Sequence, residues 1–273
     1  MIQEIRCGKM KIIGASRAGL STVIGIPHLR TLIDIGQCSP ELSRFGRLFL
    51  THLHPDHWGG LVTYLNMRRL FTQGTAHIYL PAAEVPLLED VLRSTALAAR
   101  MHWDYVLVPL QAGQVKDLSP EVFVLPFATS HRVPSLGYVF FQHRRSLFPE
   151  YQGCTTERIL ELMRAGVTVH DRQQVPILSV LGDSDATPLD RCEWIGRSEV
   201  TILECTFIRP EHVPMAQQFG HIHLQDLQAR AAQLTNDHVV LMHFSQRYSP
   251  GEITDTLERE LPASLYRRVK IML

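Results

Sequence analysis

Thr51-His52-Leu53-His54-Pro55-Asp56-His57-Trp58-Gly59-Gly60 sets three histidines and one carboxylate within six residues. The run before it, Arg47-Leu48-Phe49-Leu50, reads as a short buried strand. Residues two apart in extended chain face the same way, so His52 and His54 can reach one metal ion together. Pro55 turns the chain, and Asp56 and His57 then present an oxygen and a nitrogen to a second ion. Gly59 and Gly60 leave room for close backbone passage as a helix begins. Imidazole and carboxylate are the ligands expected for zinc, and two ions sharing a water is a recurrent hydrolytic device. A surface histidine tract without metal is the competing reading, but such tracts rarely combine a strand before with paired glycines after.

Outside this stretch the chain is ordinary. It has 273 residues, 45% hydrophobic and 20% charged, the profile of a globular protein with a sizeable core. Lys+Arg and Asp+Glu are each 27, so no global charge excess argues for a nucleic-acid binder, although a local basic patch is allowed. The five cysteines (Cys7, Cys38, Cys154, Cys192, Cys205) are an odd number without CxxC spacing, which fits a reducing compartment better than a disulfide framework. No run approaches the roughly 18 apolar residues of a membrane span, and the first residues carry no apolar signal core, so a cytoplasmic location is expected.

The rest of the chain alternates strands and helices. Lys11–Gly14, Ser21–Ile24 and Thr31–Gly36 read as strands, the last with an acid, Asp34, inside an apolar run. Asp34 either supports a metal-binding histidine from behind or is a hydrogen-bonded structural acid. Helical spacing runs over 58–72 and 84–100, with a strand at 76–80 whose His77 reads as a surface histidine. Strands follow at Tyr105–Val108 and Val122–Leu125, and then a loop carries His131, a weak candidate taken alone. Residues 143–175 are the most polar and irregular, either a protrusion for a substrate or a solvated loop, with a short helix at 155–165. Pro176–Leu181 is a buried strand that ends in Gly182-Asp183, and Val200–Phe207 delivers Glu204. His221 precedes a helix of about three turns, and His238–Met242 is a strand that ends at His243. A helix at 250–260 and a strand at 268–272 close the chain. No linker-like composition shift appears, so 1–273 is expected to form a single domain.

Candidates at strand ends number seven: His52, His54, Asp56, His57, His131, Asp183 and His243. Seven side chains suffice for two metal ions, three to each and one carboxylate between. Together these motifs resemble the metallo-β-lactamase superfamily. Finer features are similar to its ribonuclease Z branch, the tRNA 3′-endonucleases: Pro134-Ser135-Leu136-Gly137-Tyr138 after His131, Gly182-Asp183-Ser184, Glu204-Cys205-Thr206-Phe207, and His243-Phe244-Ser245-Gln246-Arg247-Tyr248. The resemblance spans nearly the whole chain. It implies an α/β fold, an αββα sandwich of two mixed sheets flanked by helices, with the metals at the edge between the sheets. It implies that His52, His54 and His131 hold one zinc, that Asp56, His57 and His243 hold the other, that Asp183 bridges, and that Asp34 supports them. Three departures from the branch stand out. Ser16–Ser21 replaces its N-terminal loop, His221-Ile222-His223 keeps a histidine but loses two hydroxyls, and the arm is shortened to about 143–175, where Ile159–Gly166 resembles part of its base.

The activity implied is phosphodiester hydrolysis that removes 3′ trailers from precursor tRNA by attack of a hydroxide held between two zinc ions, with manganese or iron as other candidates. Asp56 belongs to the catalytic set. His221 is the candidate general acid, positioned by Glu204, unless that pair is purely structural. Arg68, Arg69, Arg144, Arg145, Ser245 and Arg247 are candidate phosphate contacts, although each of the paired arginines, taken singly, reads more readily as part of a solvated face. The alternatives are a dinuclear hydrolase of a small phosphodiester such as a cyclic nucleotide, and a non-catalytic binding scaffold, against which the full ligand set argues. Similar proteins are typically homodimers, so a homodimer is expected.

Overall fold

The computed structural model describes residues 2–273. It forms two seven-stranded sheets, each in sequential strand order. The first comprises β1 (Gln3–Cys7), β2 (Met10–Arg17), β3 (Ser21–Ile26), β4 (Thr31–Ile35), β5 (Arg47–Phe49), β6 (Ala76–Pro81) and β7 (Tyr105–Leu110). The second comprises β8 (Lys116–Ser119), β9 (Val122–Ala128), β10 (Leu136–Leu147), β11 (His170–Val180), β12 (Val200–Glu204), β13 (His238–Met242) and β14 (Val269–Ile271). Both repeat one plan. The first four strands pair antiparallel and the remaining ones continue parallel, joined by helical crossovers as parallel neighbours require.

The apolar runs are long because these strands are buried on both faces. Phe49, Ile24 and Ile33 of the first sheet meet Tyr138, Phe140, Ile202 and Val240 of the second in one core. Their neighbours in sequence point outward. Leu48 and Leu32 pack beneath Leu61, Tyr64 and Leu88 of the helices over the first sheet. Leu203 and Leu241 pack beneath Leu224, Leu227, Ile253 and Leu257 over the second. This is the expected αββα sandwich, with the ends of β4, β5, β11, β12 and β13 opening on one edge between the sheets.

Several boundaries differ from expectation. The segment 143–175 is not irregular: β10 and β11 continue as a two-stranded ladder, pairing Gln142 with Val175 through Leu147 with His170. The ladder carries the helix Thr156–Arg164, which has no buried residue and so lies off the body. The helix after His223 is only Leu224–Ala229, because the backbone leaves helical geometry at Arg230, where φ is −109° and ψ is 10°. Strands β1 and β8 carry little apolar patterning and escaped the sequence reading.

Candidate metal centre

His54, in extended conformation, immediately precedes the short helix Pro55–Trp58, with Pro55 at its first position. Pro supplies no amide hydrogen there and holds φ near the helical value, so the turn after the strand is sharp. The turn lies directly against the end of β4: Gly60 N donates to the Ile35 carbonyl at 2.7 Å, and a Cβ on Gly36 would stand 2.0 Å from the Asp56 carbonyl oxygen. Asp56 and His57 are thereby aimed across the sheet edge.

The structure brings all seven strand-end candidates together in two clusters. His52, His54, His131 and Asp183 form one; Asp56, His57 and His243 form the other. In the second, Nε2 of His57 is 3.4 Å from Nε2 of His243 and 3.7 Å from Oδ2 of Asp56, and the His243–Asp56 separation is 3.4 Å. In the first, Nε2 of His131 faces Nδ1 of His54 at 3.2 Å. Zinc bonds of about 2.0–2.1 Å give tetrahedral edges of roughly 3.3–3.4 Å, so these separations match ligands around a common ion. Asp183 Oδ2 lies between the clusters, 3.3 Å from His57 Nε2, 3.4 Å from His243 Nε2 and 3.9 Å from His52 Nε2.

The hydrogen bonds behind the clusters fix which ring nitrogens are free. Thr51 Oγ1 donates to Asp34 and so accepts from Nδ1–H of His52, 2.9 Å away. His57 Nδ1–H donates to Asp34 Oδ2 at 2.7 Å. His131 Nδ1–H donates to the Gly220 carbonyl at 3.1 Å. Thr206 Oγ1 donates to Glu204 and accepts from Nδ1–H of His243 at 3.0 Å. In each of these four rings the proton is held outward and Nε2 is left facing the cluster, the arrangement that ligating histidines adopt. Nε2 of His52 and Oδ1 of Asp183 are buried without any partner. Such orphaned atoms are costly unless a cation meets them, so the residues fit a pair of divalent ions.

Electrostatics agree. Burial holds His52, His54 and His131 below the ordinary histidine value, keeping them neutral with lone pairs available. Burial pushes Asp183 up, but His243 and His57, the latter also by its hydrogen bond, outweigh it and hold the carboxyl well below its usual range. His57 is pushed down by burial, yet the charges of Asp183 and Asp34 hold it well above its usual value.

Two non-glycine residues of the site sit in the left-handed region, Asp34 at φ 56° and His243 at φ 60°. Such conformations are uncommon away from glycine and persist where surrounding contacts enforce them. Here Asp34 is locked by Thr51 N at 2.8 Å and His243 by Thr206.

No family model matches the chain. It is 31% identical over 252 residues to the chloroplastic tRNase Z TRZ2 of Arabidopsis thaliana, covering 90% of this chain and 70% of that protein. It is also 31% identical over 265 residues to tRNase Z TRZ1 of the same plant, covering 94% of this chain and 93% of that one. The chain belongs to the tRNase Z (ribonuclease Z) family. It is accordingly a metal-dependent hydrolase of the metallo-β-lactamase superfamily. The fold is that of human tRNase Z, short form, at TM-score 0.59 and 18% identity over 85% of this chain and 92% of that one. It is equally that of the metallo-β-lactamase fold protein YhfI of Bacillus subtilis, at TM-score 0.61 and 12% identity over 94% and 92%.

Around this tRNase Z metal edge lies an open cavity of about 640 Å³, bordered by Gly19, Arg132, Phe219, His221, Ser245 and Arg247 among others. His221 Nδ1 is 2.8 Å from Glu204 Oε1, and Glu204 also accepts from Ser184 N at 2.9 Å. Burial lowers His221, but the Glu204 charge and hydrogen bond prevail and raise it to about 9. Ser245 and Arg247 border the cavity, joined by an Nη1–Oγ contact of 3.1 Å.

The arginine pairs are placed differently from expectation. Arg68 is buried, and its two terminal nitrogens donate to the carbonyls of Ser43, Phe45, Gln73 and Gly74, so it cannot contact a substrate phosphate at the metal edge. Arg144 is paired with Glu199, which precedes β12 and so lies at the end of that strand remote from the metals. Arg69 is exposed but does not border the cavity, and Arg145 lies on the β10–β11 ladder opposite Arg172.

Three contributors were not singled out from sequence. Thr51 and Thr206 are the hydroxyls that orient His52 and His243; each is one position before, or two after, an acid or histidine already noted. Gly19 donates its amide to Asp56 Oδ2 at 2.8 Å, so the loop that departs from the family pattern still reaches the metal edge. His223 replaces a hydroxyl in kind: its Nδ1 accepts from Gln225 N at 3.1 Å and its Nε2–H donates to the Arg209 carbonyl at 2.9 Å, capping the helix Leu224–Ala229.

Proposed function

We propose that this chain is a zinc-dependent endonuclease that removes the 3′ trailer of precursor tRNA. The observation that carries this reading is the pairing of two inward-facing histidine clusters with an acid-held imidazole, His221, which lies close to Asp183 and His243 and borders the cavity. His52, His54 and His131 would hold one ion and Asp56, His57 and His243 the other, with Asp183 shared and Asp34 fixing His57 from behind. When bound, the two ions polarise the phosphodiester and lower the pKa of water enough to supply a nucleophile near neutral pH.

The chain's own residues do the rest. Glu204 keeps its oxygen on Nδ1–H of His221, which leaves Nε2 turned to the cavity and charged at neutral pH. From there it can protonate the departing 3′-oxygen, so the products are an RNA with a 3′-hydroxyl and a trailer with a 5′-phosphate. Ser245 and Arg247 on the cavity wall suit phosphate binding. The shortened arm carries Arg145 and Arg172 and offers further backbone contacts.

The unpaired cysteines suit a reducing compartment, the cytoplasm. Among the described residues no helix is long and apolar enough to cross a membrane. Ligands drawn from both sheets favour one cooperative domain over 1–273. Exposed Leu87, Val91 and Leu97 on the helix Val85–Ala99 offer apolar surface for a homodimer.

The zinc-loaded protein should be incubated with a 3′-extended precursor tRNA and, in parallel, with bis(p-nitrophenyl) phosphate and cyclic nucleotides. Cleavage after the discriminator base that disappears in His54→Ala supports the reading. Turnover confined to the small esters would keep the dinuclear chemistry and discard the tRNA substrate.

A further inference from the structure

A second cavity, of about 720 Å³, opens at the start of β4, β5 and β6, the end of the first sheet opposite the metals. Arg30, Arg44, Arg47 and Arg68 border it, with Glu41 the one carboxylate among its lining residues. In a chain whose formal net charge is zero, this is a local excess of three positive charges.

Arg68 forms its floor. The side chain is 4% exposed, and no carboxylate lies within ion-pair distance of it among the described residues. Four carbonyls take its terminal N–H groups, while its Nε remains buried without a partner. Carbonyl dipoles satisfy donors but do not neutralise the charge. A buried cation without a counter-ion is costly, and buried charges are ordinarily paired. Arg47 spends one N–H on the Leu29 carbonyl at 3.3 Å, and the exposed side chains of Arg30 and Arg44 have no hydrogen-bond or ion-pair partner among the described residues. Their forks are free to close on an anion from the open side. Phe45 and Pro27 add an apolar wall.

From this juxtaposition we infer that the cavity binds a phosphate-bearing ligand, taken either from a free nucleotide or from an RNA strand. Guanidinium forks match phosphate oxygens two at a time, and an excess of three charges suits a dianion or polyanion better than a single carboxylate. The volume lies within the range of roughly 300–1,000 Å³ usual for small-ligand sites. The site stands whether or not the metal edge cleaves precursor tRNA.

Calorimetric titration of the zinc-loaded protein with AMP, with ATP and with a 5′-phosphorylated ribo-oligonucleotide tests it. The proteins compared are the wild type, the double variant Arg30→Glu/Arg44→Glu, the single variant Arg44→Ala and the metal-edge variant His54→Ala. Binding should survive in His54→Ala, weaken about tenfold in Arg44→Ala and about a hundredfold or more in the double variant. Hydrolysis of bis(p-nitrophenyl) phosphate should stay unchanged in both arginine variants, which also certifies their fold. Binding of the mononucleotides assigns the free source; binding of the oligonucleotide alone assigns RNA. No binding of any probe, binding untouched by the arginine variants, or binding abolished by His54→Ala alone would each overturn the site.

Discussion

Asp34 and Glu204 hold matching positions behind the two sides of the metal edge, one on each sheet. Asp34 accepts from Thr51 Oγ1, which orients His52, and directly from Nδ1 of His57. Glu204 accepts from Thr206 Oγ1, which orients His243, and directly from Nδ1 of His221. Each buried carboxylate thus governs two imidazoles, one through a hydroxyl and one without.

If the hydroxyls set ring orientation, Thr206→Val and Thr51→Val keep the fold and lose metal affinity. A loss of about 10–100-fold is expected for each, as for other groups that orient metal-binding histidines. Competition titration with a chromogenic chelator measures it. Affinities within twofold of wild type would mean that the threonines only fill space.

The Glu204–His221 pair makes a prediction about leaving groups. His221→Ala should reduce cleavage of precursor tRNA by about 10²–10⁴ in kcat, because its alkoxide needs a proton. Bis(p-nitrophenyl) phosphate, whose leaving phenolate is stable unprotonated, should lose much less. The His221 value is raised to about 9, so its acid form persists through neutral pH and is lost as pH climbs past that value. Glu204→Gln removes the raising charge and should move the alkaline fall in kcat to lower pH. An unmoved limb would assign it to another group.

Metal uptake should consume base. Burial pushes His57 down, but Asp183 and Asp34 hold it well above its usual value, so the metal-free ring carries a proton at neutral pH. Nε2 must release that proton to donate to an ion, and zinc affinity therefore rises with pH toward the raised value. Titrations in buffers of differing ionisation enthalpy count the protons released. Identical heats in all buffers would contradict the expectation.

Gly182 stands at φ 71°, and a Cβ there would meet Cβ and Cγ2 of Thr51 at 2.9 Å. Gly182→Ala should cost about 1–3 kcal/mol in denaturant unfolding, from backbone strain and displaced contacts. It should also weaken metal binding, because Thr51 holds His52. A variant as stable as wild type would show that the turn relaxes freely.

Arg68 and Arg69 are neighbours with opposite expectations. Arg68→Ala removes a donor from four carbonyls, of which Phe45 O keeps the Tyr64 hydroxyl, and should destabilise by about 3 kcal/mol, whereas Arg69→Ala should stay within about 0.5 kcal/mol. Neither variant bears directly on phosphate binding at the metal edge. Equal stabilities would refute the structural role of Arg68.

The sequence by itself determined which side chains are candidate donors. The apolar runs predict strands, each candidate stands where a strand ends, and short-range spacing places His52 with His54 and Asp56 with His57. Those are local facts, decided by extended-chain alternation and one proline turn. Position along the chain could not tell Arg68 from Arg69, because burial of one helical face depends on what packs against it. Nor could it show that β10 and β11 continue through the polar segment 143–175 as regular ladder, since exposed pairing leaves no apolar pattern. Joining His131, Asp183 and His243 to the first motif, and setting Thr51 and Thr206 behind the rings, required both sheets to close on one edge. Only the tertiary structure brings groups as far apart in sequence as His57 and His243 to 3.4 Å. It does so because the apolar inner faces of the two sheets must bury each other, and the strand ends follow.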